Sequence, residues 1–141
     1  MDEISKIAKE YDIWLHVDAA YGGPAAILHE LRPYFSGWEL ADSIVMNPHK
    51  WLFTPVDCSV LYCQNPGQLR RAFSIVPEYL QGGSDEVTNL MDYGVSLGRR
   101  FRSLKLWFVL RYFGEQGLAK GIRSHCKMAS NFASWIEEHP E

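Results

Sequence analysis

The chain has 141 residues, 47% apolar and 22% charged, and its 14 basic and 17 acidic side chains leave a formal charge of −3. This is a soluble, globular composition with room for one core, and the mild acidity excludes the basic surface of a nucleic-acid or anionic-membrane binder. No apolar run approaches the roughly 20 residues of a membrane span, and the acidic, amphipathic start MDEISKIAKE lacks the basic and apolar stretches of a secretory signal.

Residues 2–11 pattern as a helix with Asp2 as N-cap and Ile4, Ile7, Ala8 and Tyr11 on one face. IWLHV, 13–17, is a short buried strand that ends at Asp18. AYGGP then turns the chain, because Gly22 and Gly23 permit positive φ and Pro24 restricts the residue before it. A short helix is expected over 25–32, strands at DSIVM, 42–46, and CSVLYC, 58–63, and a helix over 65–73 with Asn65 as cap and Pro66 at its first position. Residues 74–96 are long and irregular, with Pro77, Gly82, Gly83 and Gly94; loops of that length are functional or disordered. Two helices follow, over 96–114, closed by Gly114, and over 115–138, both with apolar residues at helical spacing. Cys58, Cys63 and Cys126 have no metal-ligand spacing. An odd count in a chain without a signal indicates free thiols in a reducing, cytoplasmic compartment, with Cys58 and Cys63 as small buried hydrophobes.

Helix and strand alternate in the first half, which implies an α/β fold with a parallel sheet and right-handed crossovers. Ligands of such sheets gather beyond the carboxyl ends of strands. Asp18 and Lys50 both follow strands and so point into one crevice. On position alone, Asp18 is a cap or turn residue and Lys50 a solvated cation. Together they suggest more. A carboxylate taken out of water needs a cationic or hydrogen-bonding partner, and a protonated pyridine nitrogen is one. A lysine across the same ring can hold its aldehyde as a Schiff base, provided the amine is partly deprotonated. This is the residue pair of pyridoxal phosphate (PLP) enzymes.

HVDAAYGG and NPHKWL resemble the group II PLP-dependent amino-acid decarboxylases, of the aromatic-L-amino-acid decarboxylase type. The likeness runs on through DCSVLY, VPEYL and MDYGVSLGRRFRSLKLWFVLRYFG, in the family's order and over nearly the whole chain. It implies part of the large domain of PLP fold type I over 1–96, with a mobile loop at about 74–96 that closes over substrate. Residues 97–141 would be helices leading into a truncated small domain. Asp18 would pair with the pyridine nitrogen and Ala20 would lie against the ring. Lys50 would form the Schiff base, and His49 would contact the phosphate or the lysine region. Tyr79 would return a proton to the α-carbon after CO2 leaves. The resemblance also implies an L-amino-acid substrate, aromatic by preference, and a homodimer. A phosphate cup and a histidine to stack on the other ring face are expected before position 1, so the chain alone is expected to hold the cofactor weakly and to be inactive.

His16 shares the strand face of Asp18 and either orients that carboxylate or is a satisfied core histidine. Trp51 reads as packing, and His29, His125 and His139 as surface residues. Arg99, Arg100 and Arg102 open the long helix, either as a solvated basic turn or, as the resemblance implies, near the dimer interface and active site, where one of them could meet a carboxylate bidentately. Two other readings stand beside the decarboxylase. One is another fold type I reaction, such as an aldehyde synthase or aminotransferase. The other is an inactive, truncated paralogue acting as an interaction module. In family members with phenylalanine in place of the loop tyrosine, the chemistry shifts toward aldehyde formation, so Tyr79 favours simple decarboxylation.

Overall fold

The structure, a computed structural model, describes residues 1–74 and 88–139. Tyr79 and most of the expected loop lie outside the described residues. The chain forms two compact units, one of Met1–Tyr62 with Arg102–Glu141 and one of Cys63–Phe101.

A three-stranded sheet has the order β1 (His16–Asp18), β2 (Ser43–Met46), β3 (Val60–Cys63). β1 and β2 are parallel, with His16 opposite Ser43, Val17 opposite Ile44 and Asp18 opposite Val45. The expected strands are present but begin later. For β1 the reason is local. Ile13 is taken by the end of helix α1 (Asp2–Glu10), where its N–H donates to Ala8 O at 2.8 Å. Asp12 stands between them in the left-handed region at φ 52°, which completes a Schellman-type closure with an aspartate in place of the usual glycine. The Leu15 N–H then donates to the Asp42 carboxylate at 2.7 Å rather than to a neighbouring strand. Regular pairing therefore starts at His16.

At the other end of α1, Met1 is the N-cap. Asp2, expected in that place, lies with Glu3 in the first turn, where a negative charge complements the helix dipole. Of the expected apolar face only Ala8 is buried, beside Ser5, while Ile4, Ile7 and Tyr11 are exposed.

The expected helix over 25–32 is two 3-10 segments, Gly23–Ile27 and His29–Phe35, separated at Leu28, which is extended at ψ 117°. Pro33 inside the second segment lacks the N–H that an α-helical turn requires. Leu28 and Ala25 form the core with Ile122, and Ile27, Leu31, Phe35, Trp51 and Ala119 pack against it. Burying Leu28 and Ile122 contributes about 1.5–3 kcal/mol each.

Ile122 belongs to α4 (Arg102–Glu138), which starts six residues later than the expected 96. Arg99 and Arg100 thus precede the helix that the sequence has them open. Gly114 interrupts the helical dihedrals at φ 61°, a region open mainly to glycine. In the second unit, α3 (Pro66–Phe73) is capped as expected, with Asn65 Oδ1 accepting from the Gly67 N–H at 3.1 Å. The 3-10 segment Leu90–Tyr93 packs against α3, where buried Asp92 lies 3.7 Å from Arg70 Nε.

Arg123 of α4 grips Glu30 with two hydrogen bonds, of 2.6 and 3.1 Å. The Arg123 hydrogen bond holds the Glu30 carboxyl at about 2, against an ordinary 4.5. A depressed carboxyl contributes stability above its ordinary value and loses it as the pH falls through the depressed one. We expect a carboxyl 13C titration of Glu30 to show a midpoint near 2 that moves toward 4.5 in Arg123→Gln and with added salt. A midpoint near 4.5 in the unchanged chain would show that the pair does not persist in solution.

Candidate functional site

The Asp18 turn and the Lys50 turn are joined by hydrogen bonds beyond the ends of the two parallel strands. Asp18 closes β1, and its Oδ1 accepts from the Ala20 N–H at 3.0 Å, the aspartate turn common at strand ends. The Ala20 carbonyl then accepts from the Asn47 N–H at 3.1 Å, and the Asn47 carbonyl from the Lys50 N–H at 2.9 Å. Three bonds therefore run from the Asp18 carboxylate to the Lys50 backbone. The structure brings Asp18, Ala20, His49 and Lys50 to one edge of the sheet.

Lys50 is carried on α2 (Pro48–Trp51), a single turn. Asn47 is extended, and buried Pro48 occupies the first helical position, where a missing N–H costs nothing. The Leu52 and Thr54 N–H groups both donate to the Pro48 carbonyl at 3.2 Å and so fold the chain back over the turn. This explains the proline two residues before the lysine: it starts the turn and then anchors its exit.

His49 is pinned to Cys58. Its ring Nδ1 lies 3.0 Å from the Cys58 amide nitrogen and 2.6 Å from the Cys58 carbonyl oxygen. One nitrogen cannot accept from the first and donate to the second at once, so the two contacts belong to different tautomers. Either tautomer fixes the ring, and Nε2 remains for another partner. The Ser59 hydroxyl donates to Asn47 Oδ1 at 2.6 Å. DCSVLY, read in the sequence as a strand and for its resemblance, is thus also a support for NPHKW. Cys58 is buried as expected, Cys63 is half-buried and Cys126 is exposed.

Two further contacts join the turns. The Tyr21 and Trp51 rings stack with centroids 5.2 Å apart and planes 16° from parallel. Gly23 lies against the end of β2, where a Cβ would come within 2.9 Å of Met46 Cγ and 3.3 Å of the Ala19 Cβ. The glycine pair therefore differs from expectation. Neither residue has positive φ, and Gly22 is right-handed at φ −75° with open space about it. What Gly23 supplies is room.

Other expectations change. Asp18, discussed in the sequence as a carboxylate taken out of water, is exposed, and so is Lys50. His16 neither orients Asp18 nor lies in the core: it is exposed, and its Nδ1 is 2.7 Å from the Ser43 hydroxyl, which also accepts from the Trp14 indole at 2.8 Å. Of the three arginines, Arg102 meets a carboxylate, with Nε 2.8 Å from Asp57 Oδ2 through a single nitrogen. His125, expected on the surface, is half-buried and accepts a hydrogen bond from Trp51 at 2.9 Å. Periodicity hid this contact, because its partners are 74 positions apart. Among the described residues no cluster able to hold a metal ion is present, and no helix is long and apolar enough to cross a membrane.

Fold and site define an α/β domain that presents a carboxylate and a primary amine at one sheet edge. The pyridoxal-dependent decarboxylase conserved domain matches residues 1–141, and the chain belongs to that family. It is 48% identical over 136 residues to tyrosine/DOPA decarboxylase 2 of Papaver somniferum, a match that covers 94% of this chain and 26% of that protein. It is 44% identical over 134 residues to 4-hydroxyphenylacetaldehyde synthase of Rhodiola rosea, covering 95% of this chain and 27% of the relative. Among solved structures, Oryza sativa TDC with PLP and tryptamine superposes with a TM-score of 0.89 at 44% identity, over 95% of this chain and 28% of that one. The chain spans about a quarter of the length of the curated relatives it matches.

The close approach at Gly23 predicts a contrast between neighbours. Gly23→Ala should lower the unfolding free energy by about 1–3 kcal/mol in urea titration, through displacement of Met46. Gly22→Ala should stay within about 0.5 kcal/mol. Equal effects would contradict the geometry.

Proposed function

We propose that this chain forms part of the catalytic domain of a PLP-dependent decarboxylase that converts an aromatic L-amino acid to its amine and CO2. The observation that carries the reading is the three-bond path from the Asp18 carboxylate to the Lys50 backbone, which joins the turns that bear an acid and an amine. The donor set fits pyridoxal phosphate: a carboxylate oriented by its own turn, a small Ala20 beside it, and an imidazole anchored by Cys58. Lys50 completes it, because among the described residues its amine is held by no ion pair. When bound, that cofactor supplies an aldehyde that combines with amines and a protonated ring that takes up the electron pair of a breaking bond.

The residues divide the work. Asp18 would accept the hydrogen bond of the ring nitrogen and favour its protonated form. Ala20, without bulk beyond Cβ, would leave the ring face clear. Lys50 would hold the aldehyde carbon through its amine, and His49 Nε2 would meet the phosphate or the lysine region. Tyr79 keeps, on sequence alone, the role of returning a proton to the α-carbon. Homodimer formation and a cytoplasmic setting belong to the same reading. The first is supported by exposed apolar residues such as Trp107, Phe108, Phe132 and Trp135, the second by three free cysteines.

A second reading, an aldehyde synthase, is supported by the 44% identity to the Rhodiola rosea enzyme. Tyr79 favours the decarboxylase, and products separate the two. Incubation of the full-length protein that contains this chain with aromatic amino acids should give amine and CO2, not the aldehyde.

Incubating the full chain with PLP, reducing with borohydride and mapping the label by mass spectrometry should place it on Lys50. The label should disappear from that peptide in Lys50→Ala, and label confined to other lysines would sink the reading. Asp18→Asn should lower kcat by about 10²–10³-fold while the label on Lys50 persists.

A further inference from the structure

The core contacts of α4 explain its docking, but they do not explain the polar contact it makes to the lysine turn. Trp51 directly follows Lys50, and its indole N–H donates to His125 Nδ1 at 2.9 Å. An indole nitrogen can only donate, so the accepting nitrogen carries no proton and the His125 ring is the Nε2–H tautomer. Both side chains are half-buried. Tyr21, from the Asp18 turn, stacks on the same indole. Trp51 therefore joins both halves of the candidate site to α4.

Phe53 reinforces the grip. Its ring lies 5.5 Å from the His125 ring and 6.0 Å from that of Phe113. A Cβ at Gly121 would come within 2.8 Å of Phe53 Cζ, so the ring packs closely against the helix at this position. Phe53 is left-handed at φ 54°, which is uncommon for a bulky residue and persists only where the surroundings impose it.

We propose that His125 is a positioning residue for Lys50. It acts through the Trp51 indole and touches neither substrate nor cofactor. A helix of one turn is not stable by itself, and α2 has only four residues. Its internal bonds set the backbone path, and the side chain after the lysine decides whether that path is held. With the acceptor in place, the indole is fixed on two sides, by Tyr21 and by His125. Without it, a half-buried N–H loses its partner and the turn gains freedom at the residue that must present the amine. The inference rests on the proposed role of Lys50 and adds to it a residue from the distant helix.

The test uses the full 15N-labelled chain with His125→Leu, which removes the acceptor, and His125→Asn, whose carbonyl can replace it. Amide hydrogen exchange at Lys50 and Leu52 is measured relative to that at Ile122, which separates local opening of the turn from global unfolding. His125→Leu should raise that ratio about tenfold and slow borohydride-trapped labelling of Lys50 by PLP by a similar factor, with His125→Asn restoring both. Trp51→Phe, which keeps a ring for Tyr21 but removes the donor, should match His125→Leu, and the double variant should add nothing.

A ratio unchanged in His125→Leu, or additive effects of the two substitutions, would make the contact structural only and overturn the proposal. If the unchanged chain is labelled at other lysines but not at Lys50, the proposed function itself fails and the positioning role falls with it. A labelled Lys50 with unchanged exchange and labelling in the variants fails the positioning role alone.

Discussion

One hydrogen bond, from the Asn47 N–H to the Ala20 carbonyl, settles what the rest of the site can be. It extends the parallel pairing of β1 and β2 past the last formal strand residues, so two turns from distant parts of the sequence leave the sheet as a joined pair. A parallel register is what allows this. Antiparallel strands would place the end of one beside the start of the other and carry Asp18 and Lys50 to opposite edges. Slipping the register by one residue would turn each side chain of β1 to the other face. The Asp18 and Lys50 turns are therefore neighbours because of a backbone contact that involves neither side chain.

Much of this was legible in the sequence, and the parts that were not share a cause. Asp18 and Lys50 stood out because each follows a strand, whereas Ala20 and His49 were named only through the resemblance of HVDAAYGG and NPHKWL. Asn65 as a cap and Gly114 as a helix stop were legible because each acts within a few residues of itself. The roles of Cys58, Ser59 and His125 were hidden because each depends on a partner brought close only by folding. The glycine pair shows a subtler limit. Sequence indicates that a glycine is needed but not whether for its dihedrals or for its missing Cβ. At Gly23 the neighbouring Met46 decides the matter.

The sheet edge is braced from several directions, each by a different kind of contact. Cys58 holds His49 through its backbone, Ser59 holds the Asn47 side chain, and Tyr21 holds Trp51 by stacking. Glu30 and Arg123 clamp a 3-10 segment to α4 with an exposed ion pair that is open to screening by salt. The largest fully buried side chains are Leu28, Leu118, Ile122 and Pro48. A site with little burial of its own is thus kept in register by polar and aromatic contacts, where substitution acts on geometry before it acts on stability.

The interruption at Gly114 has an electrical consequence. Peptide dipoles add along a helix only while their directions agree, so α4 carries two shorter dipoles instead of one long one. The segment 102–113 ends with Arg111 in its last turn, a cation at a negative pole. The segment 115–138 begins with Glu115, an anion at a positive pole. Each placement contributes about 0.3–1 kcal/mol. An unbroken helix would leave both charges mid-span, far from either pole, and the glycine gives each of them a terminus to neutralise.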